Sequence, residues 1–519
     1  MPSAPDSPSV DVLILGGSLS GSSMGLLLKR MNPDWSVTIV EKGSAFKRRV
    51  GESTSEVGGC FLTRVLRLSQ YLSQHHIVKH GLRIWFQKEG NDCPIRCGEL
   101  GPLFQARLPT FQLDRSTLDE HVLETAELEG CRVLRPARST EIALDGVGKN
   151  SVTVKTADGG ERTITAKWVV DATGKAAVIG RQRETLRPMT EHPTKSVWAR
   201  FRNVRDLDGS ELALAHPEFS EACYVSRGSA TNHLTGRGWW CWIIPLKNGE
   251  VSAGITYDPR YFQLKRSENL TQTLLTHLKD HPIGKWMFDG AEVVPKDILA
   301  YSQLAYQNTE VAGPGWACVG DAAGFMDPLY SHGIDYIGHS VMTVRSIIAA
   351  DLVGKKDGPT WENYQRDYAQ SFHRWFEALY RDKYTYLGDA DLMRAAFLLD
   401  IGTYFIGPVH FVYRNTEAEF SRLPYHGPIG GVVARLMRFY NRRLVALAEQ
   451  RHAVGRYGIH NLDHRYFVTP GFSPGPAAIK PFLKGVLAWW KCELQGVRYR
   501  FLPKVSPEMT PISQVKMEA

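Results

Sequence analysis

Two short runs carry residues suited to holding small anions and flat rings. In Phe325-Met326-Asp327-Pro328-Leu329-Tyr330-Ser331-His332-Gly333 a polar turn precedes apolar positions at Ile337, Val341, Val344, Ile348 and Leu352. That spacing predicts a helix beginning at the Ser331–Gly333 turn. Backbone N–H groups at such a terminus have no intrahelical partner and hold an anion without a counter-cation. In Trp240-Cys241-Trp242-Ile243-Ile244-Pro245 the indoles lie two residues apart, so on a strand both face one side and form one wall. Packing of a sheet against a helix would use the same pair. Lys247-Asn248-Gly249 then signals a hairpin, with Val251–Tyr257 returning antiparallel.

The elements that must position these runs begin near the N-terminus. Val10–Leu15 reads as a buried strand, Gly16-Gly17-Ser18-Leu19-Ser20-Gly21 as a turn, and a helix follows to about Met31. Val37–Glu41 is a second strand, ending in an acid about twenty residues past the loop, where a ribose hydroxyl is bound in dinucleotide folds. The pyrophosphate would rest on the helix N-terminus. Ser18 stands where the middle glycine of G-x-G-x-x-G belongs, and its small side chain still permits close backbone approach. Gly16, Gly17, Ser18, Ser20, Gly21 and Glu41 are therefore candidate cofactor ligands.

Three later segments resemble the glutathione-reductase-type FAD monooxygenases. Gln112-Leu113-Asp114-Arg115-Ser116-Thr117-Leu118-Asp119 is similar to their helix-opening segment, in which an arginine, here Arg115, lies near FAD. Val169–Gly174 is similar to their strand with a small-residue turn. Gly320-Asp321-Ala322-Ala323 is similar to their Gly-Asp segment, whose aspartate reaches the ribityl chain, with Gly324 just beyond. Together with Trp-x-Trp-x-Ile-Pro and Phe-x-x-Pro-x-x-Ser-x-Gly in this order, the chain resembles the flavin-dependent halogenases, the phenol and pyrrole branches more than the tryptophan branch.

The resemblance implies an α/β fold: a glutathione-reductase-type, Rossmann-like FAD-binding domain (9–185 and 296–355), an inserted β-rich substrate-side sheet (186–295) and a mostly helical C-terminal region (356–519) that lids the substrate. It implies an FADH2-dependent oxidoreductase of secondary metabolism, in which FADH2 and O2 form a flavin hydroperoxide that oxidises chloride or bromide to hypohalous acid. Trp240 and Trp242 would stand between flavin and substrate. Ser331, His332 and Gly333 would hold the halide, although a phosphate or flavin oxygen would suit the same turn. Lys79, in Ile77-Val78-Lys79-His80-Gly81-Leu82-Arg83-Ile84-Trp85-Phe86, matches the catalytic lysine that follows Gly51-Glu52-Ser53-Thr54 by a short helix. It would hold hypohalous acid by a hydrogen bond or as a haloamine; without the resemblance it reads as a solvated surface lysine. Ser53 and Thr54 are carried over as flavin contacts, and Ser55-Glu56-Val57-Gly58-Gly59 follows without the family's proline.

Tyr330 occupies the position of the glutamate found in the tryptophan-specific branch, which favours a phenol or related electron-rich aromatic, free or tethered to a carrier protein. Asp327, His75, His76 and His80 are candidate bases. An aromatic monooxygenase and a catalytically idle flavin-binding protein are the rival readings. No second Gly-rich nucleotide loop is present, so reduced flavin is expected from a separate flavin reductase.

The chain has 519 residues, enough for two substructures. Its net charge of +8 comes from dispersed Lys and Arg, which gives no expectation of nucleic-acid binding. Eight cysteines without a secretory leader suit a cytoplasmic protein, and Cys93 and Cys97 read as unrelated thiols rather than a metal site. The apolar stretch Phe397–Tyr413 is broken by Asp400, Gly402, Pro408 and His410, so neither a spanning helix nor a membrane partner is expected. Short polar tails are expected at Met1–Pro8 and about Val505–Ala519.

Overall fold

The computed structural model describes residues 9–103, 108–468 and 474–505; the expected tails, Val505 apart, lie outside these. The strand Ser9–Leu15 runs parallel between Val37–Val40 and Glu161–Asp171. Arg132–Leu134 and Trp316–Cys318 extend the sheet in parallel on either side. The central segments Val12–Leu15, Val37–Val40, Trp168–Asp171 and Trp316–Cys318 are buried and largely apolar, as a parallel sheet covered on both faces requires. The helix Leu19–Met31 begins at the Gly16–Ser18 turn, as the periodicity predicts.

A second sheet of nine strands is mostly antiparallel, and Trp239–Pro245 pairs with Val251–Tyr257 through the expected hairpin. Its membership departs from the expected 186–295 boundaries. Leu82–Phe86, Gly98–Pro102 and Arg465–Val468 complete one edge, so the sheet draws on both ends of the chain. Lys79 lies three residues before Leu82–Phe86 and is fixed where that strand leaves the sheet: its N–H donates to the Thr110 carbonyl at 2.9 Å.

The C-terminal region is helical, with Trp361–Leu379, Ala390–Tyr404, Gly427–Ala453 and Ile479–Tyr499 as its main members. The run Ala390–Arg414 is long and apolar enough to cross a bilayer, yet half of its apolar window is buried within the protein. Asp400 within it pairs with the buried Lys383, as suits a core helix.

Candidate active site

Two cavities meet where the parallel sheet, the second sheet and the helical region converge. The smaller, about 920 Å³, is lined by Gly51–Ser53, Arg115, Trp240, Trp242, Asp321, Ser331 and Gly333 among others. The larger, about 1070 Å³, is lined by Thr54–Glu56, Lys79, Tyr330, His332 and by aromatic and apolar side chains of the helical region. Ser53 and Thr54 thus face opposite ways, as do Ser331 and His332.

The dinucleotide turn is shaped by close approach. Gly16 has φ +97°, and a Cβ there would lie 2.5 Å from the Ala172 carbonyl oxygen; a Cβ on Gly21 would lie 1.8 Å from the Gly16 carbonyl oxygen. No side chain could occupy either position without moving the helix off the turn. Ser18 caps the helix without using its side chain, leaving the turn open to an anion. Ser20 sits against Gly320, whose Cβ would meet its Oγ at 2.5 Å. The Glu41 carboxylate accepts the Gly17 and Gly43 N–H groups at 2.8 and 2.9 Å, and each oxygen retains a further acceptor position for a ribose hydroxyl. Arg115 lies beneath Gly51 and is held by Asp119. Among the described residues the Asp321 carboxylate has no hydrogen-bond donor; burial raises its pKa while Arg115, Arg49 and Lys175 oppose that shift. A Gly-rich turn at a helix N-terminus, an acid ending the second strand and an unpartnered carboxylate in a half-buried cavity fit FAD. Gly324 lies outside the smaller cavity but lines an adjoining one with Asp321 and Gly333, and a Cβ on it would strike Tyr368 and Phe372 at 2.9 Å.

Lys79 sits at the junction of the cavities. It is only 9% exposed, and its Nζ donates to Ser53 Oγ at 2.9 Å and to the Thr54 carbonyl at 2.8 Å. Burial lowers its pKa to about 8, with Glu56 and Asp335 opposing. Thr54 departs from the flavin-contact expectation, because it lines the larger cavity and its Oγ1 accepts the Phe111 N–H at 2.8 Å.

The helix Gly333–Leu352 begins at the predicted turn, with His332 as its cap residue. Ser331 adopts φ +60°, and its N–H is taken by the Pro328 carbonyl at 3.1 Å. The N–H groups of His332 and Gly333 have no acceptor among the described residues, which leaves them for an anion. Burial lowers the His332 ring to about 3, so it is neutral, and its Nδ1 meets the Tyr380 hydroxyl at 2.9 Å.

The tryptophan pair faces one side as expected. Both indoles line the smaller cavity and neither lines the larger one. Trp240 donates to the Tyr384 hydroxyl at 2.8 Å and Trp242 to Ser252 Oγ at 3.3 Å. The chain at Ser53–Thr54 and the Ser331–Gly333 turn runs between the two cavities, because adjacent residues in extended or turning backbone present opposite faces.

The candidate bases are also placed elsewhere. Asp327 lines neither cavity and is occupied by His192, the Tyr384 hydroxyl and the Leu329 N–H. His75, His76 and His80 do not line the larger cavity. The carboxyl that does lie there beside Lys79 is Glu56, which sequence reasoning passed over. It opens the helix Glu56–Cys60, capped by Ser55, and burial raises its pKa while Lys79 opposes. The available signal was an acid following Gly51-Glu52-Ser53-Thr54 where a proline was expected. Behind it Asp335, pushed up to about 7 by burial, accepts from Ser55 Oγ and from the Tyr404 hydroxyl.

A parallel dinucleotide sheet, an inserted antiparallel sheet and a helical cap around paired cavities define a flavin-dependent oxidoreductase of the glutathione-reductase type. The model of the tryptophan halogenase family matches residues 100–382, more than half of the chain. The chain therefore belongs to that family, the flavin-dependent halogenases, FADH2-dependent enzymes that use FAD and halide. It is 25% identical over 443 residues to a flavin-dependent halogenase of Dictyostelium discoideum, covering 76% of this chain and 69% of that protein. It is 27% identical over 375 residues to a tryptophan 2-halogenase of Chondromyces crocatus, covering 71% and 66%. Its fold is similar to that of a halogenase crystallised with phloroglucinol and FAD, with a TM-score of 0.72 and 15% identity over 93% of this chain and 98% of that one.

Proposed function

We propose that the chain halogenates a phenol or related electron-rich aromatic held in the larger cavity, and that Lys79 delivers the halogen. The observation that carries this reading is the buried Lys79 ammonium, bonded to Ser53 of the smaller cavity and exposed to the larger one. Reduced FAD, bound at the smaller cavity and supplied by a separate reductase, furnishes with dioxygen the two-electron oxidation of halide.

The His332 and Gly333 amides hold the halide. Lys79 hydrogen-bonds the oxygen of hypohalous acid and withdraws charge from it, so the terminal halogen becomes more electrophilic. The aromatic carbon bonds to halogen, the O–X bond breaks, and the ring proton and hydroxide leave as water. Glu56, which lines the larger cavity with Lys79, accepts the proton from the phenol or the ring and passes it to the departing hydroxide. The fold relative crystallised with phloroglucinol, itself a phenol, supports this substrate class.

The test is mass spectrometry of a phenol panel incubated with the protein, FAD, NADH, a flavin reductase and bromide or chloride. Halogen isotope doublets that vanish in Lys79→Ala are expected. Addition of one oxygen without halogen would move the assignment to a monooxygenase.

A further inference from the structure

The solvent face of the helical region is built contrary to the usual rule that exposed helix faces are polar. On Ile479–Tyr499, Ile479, Leu483, Leu487, Trp490, Leu494 and Val497 are spaced i, i+4, i+8, i+11, i+15 and i+18 and fall on one face; they are 47–62% exposed. The opposite, buried face carries Pro481, Gly485, Cys492 and Gly496. This orientation is fixed by packing. A Cβ on Gly485 would lie 2.8 Å from the Leu399 backbone nitrogen, and one on Gly496 would lie 2.6 Å from the Leu447 side chain. Turning the large apolar residues inward would therefore collide with the neighbouring helices.

The stripe continues on Gly427–Ala453, where Ile429, Val432, Leu436 and Phe439 are 43–81% exposed. The two helices join through the rings of Phe439 and Trp489, 5.9 Å apart, and through the Arg443–Glu493 ion pair. An apolar face of this extent on a monomer marks an interaction surface.

Charge identifies what covers it. Residues 479–505 hold six Lys or Arg against one acid, Glu493, which Arg443 already pairs. Lys480, Lys491 and Arg498 lie at i, i+11 and i+18 in a row along one flank of the stripe, and Arg435 and Arg442 stand exposed on the neighbouring helix. None of these five forms an ion pair among the described residues. A second copy would present the same apolar strip and unpaired cations and no matching row of acids. An apolar strip flanked by unneutralised cations is instead the pattern of helices that lie in the plane of an anionic lipid surface.

We propose that these two helices dock the protein on anionic membranes, the apolar stripe entering the headgroup boundary and the cations facing lipid phosphates. No membrane partner is expected from the sequence, and this proposal departs from that expectation: the surface lies on the bilayer without crossing it.

The experiment is flotation of the full-length protein with vesicles of phosphatidylcholine alone and of phosphatidylcholine mixed with phosphatidylglycerol, with sedimentation velocity in parallel. Binding to the anionic vesicles only, weakened by salt, is expected. Lys480→Gln, Lys491→Gln and Arg498→Gln together should weaken it roughly a hundredfold, since each cation near the surface is worth about fivefold. Leu487→Glu with Trp490→Glu should abolish it. These positions are exposed, so unchanged thermal melting serves as the folding control. Absence of binding to anionic vesicles, equal binding to both vesicles, or a dimer that the Leu487→Glu, Trp490→Glu pair turns into a monomer would each overturn the proposal.

Discussion

The two cavities are built from different materials. The smaller is bounded by residues of short motifs, Gly51–Ser53, the Ser331–Gly333 turn and one face of the Trp239–Pro245 strand, with side chains such as Trp198, His233 and Tyr301 completing its walls. The larger is bounded by side chains gathered from Thr54 to Val468, with helices of the C-terminal region contributing Trp375, Leu379, Phe397, Asp400, Ile401 and Tyr404. A cavity anchored on motifs that are contiguous in the chain keeps its main walls when distant elements change. A site made of side chains takes its specificity from packing, which can change without disturbing the first. On the proposed reading the oxidising half is set by local motifs and the accepting half is open to variation, with Lys79 linking the two through Ser53.

The sharpest test of that division is Lys79→Ala. Loss of halogenation by about 10²–10³-fold is expected, the range seen when a single donor is removed from a charge-stabilising site, while FAD affinity measured by flavin fluorescence stays unchanged. A parallel fall in FAD affinity would mean that Lys79 serves the smaller cavity alone. The converse variant is Gly21→Ala. Its Cβ must displace the Gly16 carbonyl, 1.8 Å away, so stability should fall by about 1–3 kcal/mol and FAD loading should fall with it, as thermal melting with and without FAD would show. Retained FAD affinity would break the assignment of the turn.

The difference between the cavities also decides what could be read in the sequence. The turn and helix from Gly16 to Met31, the hairpin after Pro245 and the helix opening at Gly333 are local patterns whose hydrogen bonds close within a few residues, while the strand Ser9–Leu15 shows as an apolar run although its partners lie at Val37–Val40 and Glu161–Asp171. The common facing of Trp240 and Trp242 followed from strand geometry, but which cavity they face did not, because that depends on where the sheet packs. The sheet boundary at 186–295 missed Leu82–Phe86 and Arg465–Val468 for the same reason: strand pairing across hundreds of residues leaves no local mark. Glu56 was invisible as a functional group, since its value lies in meeting Lys79 inside a cavity closed by helices from the other end of the chain.

A smaller effect sharpens the role of that pair. The Lys79 ammonium persists below about pH 8 and is lost above it, so the halogenation rate should decline as pH rises through about 8. The Glu56 carboxylate opposes the lowering of the Lys79 pKa by burial, so Glu56→Gln should shift this alkaline limb to lower pH and slow turnover at its plateau. A pH–rate profile for both proteins checks this, and an unmoved limb would show that Lys79 does not sense Glu56.

The smallest effect is expected at Tyr330. Its hydroxyl donates to Asp400 at 2.8 Å and accepts from Lys383 Nζ at 3.1 Å, while Lys383 and Asp400 also bond each other directly. Tyr330→Phe removes the shared hydroxyl and leaves the ion pair, so the stability cost should be about 1 kcal/mol, that of one buried hydrogen bond. Burial holds the phenol well above its ordinary pKa, so Tyr330 is a wall of the larger cavity and no base at neutral pH. Its replacement should change KM for a bulky phenol more than kcat. A hundredfold fall in kcat with KM intact would transfer the proton-accepting role from Glu56 to Tyr330, and with it the boundary between what shapes the larger cavity and what reacts there.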